Sequence, residues 1–210
     1  MIDIYVINLK KRTERLNRVK KDFANYNLII IEAIEDMNQE GWKGCFNSHL
    51  KIISIAKEKK LPYIIVIEDD CKIIDEITFD INLKQILNWL ENNMEEWNIF
   101  LGGVTKVWNY NKLIQLDNDL KLLSINEGKT THFIIYNSNC YDYYLSLDSN
   151  IPIDKCWHNK LIGITSIPFI AIQYSDFSDI ENKEVNYETR FTSIENNFIK
   201  MIKKQLLFFE

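Results

Sequence analysis

The hydrophobic residues in the first third of the chain form short continuous runs separated by helical stripes. Apolar positions at helical spacing predict one helix from Thr13 to Tyr26 and a second that ends at Lys60. Between and around these helices, three apolar runs rich in β-branched residues predict strands at Ile4–Leu9, Leu28–Ala33 and Tyr63–Ile67. This β-α-β-α-β order predicts a parallel sheet with right-handed crossovers, and therefore an α/β fold.

Beyond residue 75 the pattern is less regular, and residues 106–130 are mostly polar. The elements predicted there are helices at Leu83–Asn93, Asn139–Leu147 and Asp154–Leu161, strands at Trp97–Leu101, Thr131–Tyr136 and within Ile164–Gln173, and a weak hairpin around Asn118.

An apolar stripe from Ser193 to about Phe208 predicts a C-terminal amphipathic helix. We therefore expect one domain over residues 1–190 and, over 191–210, a helix that packs on this domain or extends it. The alternative is a helix that lies on an anionic membrane, because lysines accompany its apolar stripe.

The composition excludes several classes of protein. With 46% hydrophobic and 12% aromatic residues among 210, the chain can form a full core, and disorder is excluded. The net charge of -5 argues against a dominant nucleic-acid surface. No segment approaches the roughly 18 apolar residues of a membrane span, and the start of the chain lacks signal-peptide features, so we expect a cytoplasmic protein with free thiols.

Three carboxylates, Glu68, Asp69 and Asp70, directly follow the third apolar run. In open α/β sheets, ligands bind outside the carboxyl ends of the strands. Alternation along the strand would point Glu68 and Asp70 to one side and Asp69 to the other. Two carboxylates on one side form an oxygen site suited to Mg2+ or Mn2+ carrying a phosphorylated substrate. The plain alternative is that these acids begin a solvated turn.

The first strand ends in the segment VINLKKRTER, which places Asn8 at the strand end. Arg12 and Arg15 then fall in the opening turn of the next helix, where cations oppose the helix dipole. An anionic ligand would relieve that conflict. The alternative is a solvated basic face.

The segment GWKGCFNSHL comes before the second helix, for which Asn47 or Ser48 is a suitable N-cap. Gly44 allows a close backbone approach, and the first amides of such a helix can donate to a phosphate or a sugar hydroxyl. His49 would lie in the first turn beside these donors, although a lone histidine there is more often structural.

Taken together, INLKKRTER, the GC-x-x-SH turn and the apolar strand into EDD resemble glycosyltransferase family 25. That family includes bacterial lipooligosaccharide galactosyltransferases and collagen hydroxylysine galactosyltransferases. The resemblance continues in LGG at 101–103, PID at 152–154 and Q-x-x-x-FSDI at 173–180, so that it spans most of residues 4–180.

The resemblance implies a GT-A type (Rossmann-like) nucleotide-sugar-binding fold, with a central, mostly parallel sheet flanked by helices. It implies inverting transfer of galactose or glucose from UDP-galactose or UDP-glucose to a hydroxyl acceptor, either a glycan or a hydroxylated collagen-like protein. The Glu-Asp-Asp motif would hold Mn2+ or Mg2+ through Asp70 and Glu68. The residues placed at the nucleotide sugar are Asn8, Leu9, Arg12, Arg15, Gly44, Ser48, His49, Glu68 and Asp69.

The residue types fit this chemistry. A divalent ion stabilises the negative charge left on a departing nucleoside diphosphate, and the acceptor hydroxyl needs a general base. Asp154, just after Pro152, is the first candidate for the base, with a plain N-cap role as its alternative. Asp176 and Asp179 are the further candidates, either as the base or as metal ligands.

Two other function classes stay open at this point. One is an inactive nucleotide-sugar or glycan-binding module, which would bind a donor without turnover. The other is a metal-dependent phosphohydrolase, which would release phosphate from simple esters without a preference for UDP.

Overall fold

The computed structural model describes residues 1–36, 40–148, 150–178 and 183–206. Its helices are α1 Thr13–Asp22, α2 Gly41–Glu58, α3 Phe79–Asn92, α4 Tyr141–Leu145, α5 Ile153–Cys156 and α6 Tyr187–Leu206. Its strands are β1 Asp3–Asn8, β2 Asn27–Glu32, β3 Tyr63–Glu68, β4 Cys71–Ile73, β5 Ile99–Leu101, β6 Lys112–Gln115, β7 Lys121–Ile125, β8 Phe133–Asn137, β9 Gly163–Ile167, β10 Ala171–Gln173, β11 Asp176–Ser178 and β12 Lys183–Val185.

The centre of the molecule is an eight-stranded sheet with the order β2-β1-β3-β8-β5-β9-β7-β6. Strands β2, β1 and β3 are parallel, which confirms the prediction from the β-α-β-α-β pattern. Alternation along β1 sends Ile4 and Val6 into a core with α1 and α3 on one face of the sheet, while Tyr5 and Ile7 face α2 on the other. Helices therefore cover both faces, as in an α/β fold.

The other half of the sheet is mixed, so the expectation of a mostly parallel sheet holds only near the N-terminus. Strand β8 lies antiparallel between β3 and β5, and β7 lies antiparallel between β6 and β9. Among the strands described, only β5 and β9 add a parallel pair in this half. The apolar run of β8 is buried on both faces, and such a run does not encode its own direction.

Helix α2 begins at Gly41 rather than at Asn47 or Ser48. Two glycines in GWKGCF suggested a loop, but Phe46 is fully buried there, and tertiary packing overrides weak helix propensity. Gly44 is therefore the fourth residue of the helix, and Ser48 and His49 lie beyond its first turn.

Strand β3 is followed by a two-residue turn at Asp69 and Asp70 and then by β4, which the sequence pattern did not predict. Strand β4 pairs antiparallel with β10, with Cys71 opposite Gln173. The amide of Tyr174 also donates to the main-chain oxygen of Asp70 (2.8 Å). These contacts bring the segment after β10 to the end of β3.

Helix α6 begins at Tyr187, earlier than predicted, and buries Phe191, Phe198 and Ile202 against the same core as α2. Over the residues described, no helix combines the length and the apolar character needed to cross a membrane.

Candidate functional site

A cavity of about 800 Å3 opens where β1 and β3 end. Its wall comes from the ends of these strands, the segment after β2, the first turns of α2, and the chain around β10 and the start of α6. Among the residues predicted for the site, those that line it are Leu9, Arg15, Gly44, Ser48, Glu68, Asp69 and Asp70. Residues from distant parts of the chain thus meet where the strand-end rule places a ligand.

Asp70 is held in the cavity wall by only one of its two carboxylate oxygens. Its Oδ2 accepts a hydrogen bond from Nε2 of Gln173 (3.1 Å), whereas the buried Oδ1 has no hydrogen-bond partner among the residues described. Burial, together with the neighbouring charges of Glu68 and Asp69, raises the pKa of Asp70 to about 8. A buried oxygen without a partner, in a cluster of carboxylates, fits a divalent cation.

Glu68 lies near Asp70, but unlike Asp70 it has hydrogen-bond partners from two neighbouring side chains. Its Oε1 accepts a hydrogen bond from Oγ1 of Thr131 (2.6 Å) and lies 3.3 Å from Nε2 of His49. Burial alone would raise the pKa of Glu68, but the hydrogen bonds from His49 and Thr131 lower it overall. Glu68 is therefore the ionised member of the pair near neutral pH.

Asp69 lines the same cavity as Glu68 and Asp70. Its side chain faces Arg15 of α1, whereas Glu68 faces His49 of α2 on the other side of the sheet, which agrees with the alternation expected for these two residues. Oδ1 of Asp69 accepts from an Nη of Arg15 (3.3 Å), and Nε of Arg15 lies 3.5 Å from a carboxylate oxygen of Asp176. Burial lowers the pKa of Arg15, but Asp70 and Asp69 outweigh this and raise it, so the guanidinium stays charged in the wall.

Asn8 and Arg12 do not line the cavity, although Leu9 between them does. Nδ2 of Asn8 donates to the main-chain oxygen of Leu9 (2.9 Å), and the Arg12 amide donates to the same oxygen (2.7 Å). Burial raises the pKa of Asp69 overall, and Arg12 is near enough for its charge to act in the opposite direction, as the charge of Arg15 does. Asn8 and Arg12 therefore stabilise the turn after β1 by hydrogen bonds to Leu9, without lining the cavity themselves.

Gly44 and Ser48 hold α2 against the chain that leaves β2. Oγ of Ser48 accepts from the amide of Ile34 (2.8 Å) and donates to the main-chain oxygen of Gly44 (2.7 Å). A Cβ on Gly44 would collide with the main-chain oxygen of Ile34. Because α2 begins earlier, their amides are not the free donors of a first turn, and that part of the prediction is wrong.

His49 is fully buried and bridges two elements. Its Nδ1 lies 3.0 Å from the hydroxyl of Tyr136, while its Nε2 faces Glu68. It reaches the cavity only through the carboxylate that it contacts.

Asp154 lies on α5, where the N-cap residue is Pro152, so the plain N-cap role is wrong. Burial raises the pKa of Asp154, while the charge of Lys129 and a hydrogen bond from the Thr130 amide act in the opposite direction. Burial and the charge of Glu68 raise the pKa of Cys45, which lines the cavity, and the charge of Asp154 is near enough to add to this effect. Asp154 thus lies near the cavity without forming its wall, and Asp179 lies outside the described residues.

The sequence did not single out Thr131, Gln173 or Cys45 as site residues. Gln173 opens the Q-x-x-x-FSDI segment, and that motif was the available signal for it. Cys45, which contacts Glu68, belongs to the GC-x-x-SH segment, whereas no local pattern reveals the contact of Thr131 with Glu68.

Solved structures with a similar fold include A197 from STIV, which is 9% identical, with a TM-score of 0.51 over 89% of this chain and 94% of that one. At this identity the similarity concerns the fold alone. A glycosyltransferase involved in the glycosylation of the major capsid of PBCV-1 is 14% identical, with a TM-score of 0.40 over 68% of this chain and 63% of that one. No curated protein has a matching sequence.

The sequence profile described as Glycosyltransferase family 25 (LPS biosynthesis protein) matches residues 39–148, more than half of the chain. The match contains α2 and the turn with Glu68, Asp69 and Asp70, and thus much of the cavity wall. The chain therefore belongs to glycosyltransferase family 25 and is a transferase.

Proposed function

We propose that the cavity binds a UDP-sugar, UDP-galactose or UDP-glucose, and that the enzyme transfers the hexose with inversion to a hydroxyl of a glycan or a hydroxylated protein. The observation that carries this proposal is the carboxylate cluster at the end of β3, in which Oδ1 of Asp70 is buried without a partner in the described chain. A divalent cation held by Asp70 would satisfy that oxygen and would supply positive charge for a diphosphate.

The residues that would hold Mn2+ or Mg2+ are Asp70, through Oδ1, and Glu68. When bound, the ion would neutralise negative charge on the leaving diphosphate as a Lewis acid. Gln173 positions Asp70 by occupying its other oxygen. Arg15, charged and only 8% exposed, lines the same cavity beside Asp69 and would present its positive charge to a phosphate.

Asp154 is the proposed general base, with Asp179 as the second candidate. Partial burial and a raised pKa make the Asp154 carboxylate a stronger proton acceptor than an exposed aspartate. In this role Asp154 would have to come within hydrogen-bond reach of the acceptor hydroxyl at the edge of the cavity.

A donor screen tests the proposal. The purified chain is incubated with Mn2+, a panel of nucleotide sugars and a panel of hydroxyl acceptors, and released nucleoside diphosphate is measured. We expect release from a UDP-hexose, and a loss of about 100-fold or more in Asp70→Asn. The matched control is Asp119→Asn, the same change at an exposed residue, which should keep full activity.

Three outcomes would contradict the proposal. Binding of a donor without any turnover would favour a binding module. Phosphate release from simple esters without a preference for UDP would favour a phosphohydrolase. Full transfer activity in Asp70→Asn would remove this residue from the metal site.

A further inference from the structure

A thiol, an imidazole and a carboxylate meet beside the donor cavity, where α2 packs on the end of β3. Cys45 and His49 are four residues apart on α2 and therefore lie on the same face of the helix. Glu68 reaches them as the last residue of β3. One potential ligand atom from each of the three side chains lies within 4.8 Å of the other two.

The separations between these atoms are close to those around a tetrahedral zinc ion. Oε1 of Glu68 lies 3.3 Å from Nε2 of His49 and 3.9 Å from Sγ of Cys45. Zinc bonds of about 2.1 Å to nitrogen and oxygen and about 2.3 Å to sulfur give separations of about 3.4 Å and 3.6 Å at tetrahedral angles. Shifts of a few tenths of an ångström would bring these two separations to the tetrahedral values, and the ligand atoms of Cys45 and His49 lie within 4.8 Å of each other.

The groups behind the cluster support the same interpretation. Metal-bound histidines usually hold their second ring nitrogen in a hydrogen bond, and bound carboxylates are hydrogen-bonded in turn. Here the Tyr136 hydroxyl lies 3.0 Å from Nδ1 of His49, and the Thr131 hydroxyl donates to Glu68. The imidazole is fully buried and so is fixed with Nε2 towards Glu68.

The charges and the ligand types favour Zn2+ over Mg2+ or Mn2+. A thiolate and a carboxylate together balance a divalent cation, and a neutral imidazole adds no charge, so the occupied cluster is neutral in its buried surroundings. Thiolate ligands select zinc, whereas oxygen-only sites suit magnesium and manganese. Binding would displace the Cys45 thiol proton to solvent. Cys45 and Glu68 also line the cavity, which leaves a fourth position for a water molecule on that side.

We propose that Cys45, His49 and Glu68 bind a thiophilic divalent cation, Zn2+, at a site distinct from the one proposed for Mn2+ at Asp70. Because Glu68 belongs to both ligand sets, zinc in this site weakens binding of the donor-side ion and inhibits transfer. The inhibition rests on the proposed function, whereas zinc binding itself does not.

Cobalt(II) serves as the spectroscopic probe for zinc in the full chain. We expect a thiolate-to-cobalt charge-transfer band in the near ultraviolet that saturates at one equivalent and disappears when Zn2+ is added. The band should be absent in Cys45→Ser and retained in the matched variant Cys156→Ser. No band in the unmodified chain, or an undiminished band in Cys45→Ser, would overturn the proposal.

A second measurement needs no variant and therefore covers the case in which Cys45→Ser does not fold. X-ray absorption at the zinc edge, with one equivalent of Zn2+ bound, should show one sulfur at about 2.3 Å and the other ligands at about 2.0–2.2 Å. A shell of nitrogen and oxygen alone would contradict the site.

The inhibitory consequence is measured separately. With saturating Mn2+, added Zn2+ should reduce the rate of UDP release about tenfold in the unmodified chain. In Cys45→Ser, the rates of UDP release with and without zinc should be nearly equal. Equal inhibition of both proteins would show that zinc acts elsewhere. A chain that shows the cobalt band but transfers no sugar would retain the zinc site and lose the proposed function.

Discussion

The three carboxylates at the end of β3 have different partners and therefore different roles in the proposed donor site. Glu68 is kept ionised by Thr131 and His49, Asp69 is paired with Arg15, and only Asp70 retains a buried oxygen without a partner in the described residues. The sequence predicted that these three carboxylates matter. It could not predict their separate roles, because those roles depend on contacts from residues as distant as Gln173.

The burial of Asp70 should make the metal-free protein less stable at high pH. Its folded-state pKa of about 8 lies above that of an unfolded aspartate, so its stabilising contribution is complete below the unfolded pKa and is lost as the pH rises to about 8. In the presence of EDTA at pH 8, Asp70→Asn should therefore be more stable than the unmodified chain. We expect a gain on the order of 1 kcal/mol in the free energy of unfolding, which raises the melting temperature by a few degrees.

The gain should shrink as the pH falls towards 4, where an unfolded aspartate titrates. Thermal melts of both proteins over this pH range provide the measurement. If the variant melts at a lower temperature than the unmodified chain at every pH, Asp70 stabilises the metal-free fold, and the prediction is wrong.

Asp154→Asn tests the general base. We expect kcat to fall by about 100-fold or more, since an amide cannot accept the acceptor proton, while KM for the donor changes only a few-fold. In the unmodified enzyme kcat should fall as the pH drops through the raised pKa of Asp154. Asp148→Asn, at an exposed residue of the same loop region, is the control. Equal losses in kcat and donor binding would instead indicate a structural residue.

Among the elements, β1, α1, β2 and β3 lie close to where the hydrophobic pattern predicted them, because period and composition are local properties. The early start of α2, the presence of β4 and the direction of β8 were not predictable in the same way. The start of α2 depends on the burial of Phe46 in the core, and β4 and β8 depend on partners far along the chain: β10 for β4, and β3 and β5 for β8.

Gly44→Ala tests the close approach of α2 to the chain after β2. The added methyl group would collide with the main-chain oxygen of Ile34, which cannot move away as a flexible side chain can. We expect a loss of about 1–3 kcal/mol in the free energy of unfolding, measured by denaturant titration. Lys51→Ala, at an exposed position of the same helix, should change stability by no more than about 0.5 kcal/mol. If Gly44→Ala and Lys51→Ala are equally stable, the contact between α2 and the main chain at Ile34 does not limit the side chain at position 44.

At the scale of the whole molecule, α6 closes one face of the sheet, and Phe198 is almost completely buried in the core shared with α2. We expect Phe198→Ala to lower the free energy of unfolding by about 3–5 kcal/mol and to leave a single cooperative transition. Asn197→Ala, on the exposed side of the same helix, is the control. A separate early transition would indicate that residues 191–210 form a unit apart from the domain over 1–190.

The fold as a whole brings together in one cavity the end of β1, the start of α2, the turn after β3 and Gln173. The family match covers only part of this assembly, since Arg15 and Gln173 lie outside residues 39–148. A binding measurement therefore tests whether these separate segments form a donor site. In the proposed site, a divalent ion at Asp70 connects the nucleotide to the protein.

The affinity of the chain for UDP, measured by titration calorimetry with Mn2+ and again with EDTA, tests that link most directly. The account predicts binding at least about tenfold tighter with Mn2+, a difference that disappears in Asp70→Asn and persists in Asp119→Asn. Equal affinity for UDP with and without the ion in the unmodified chain would contradict it.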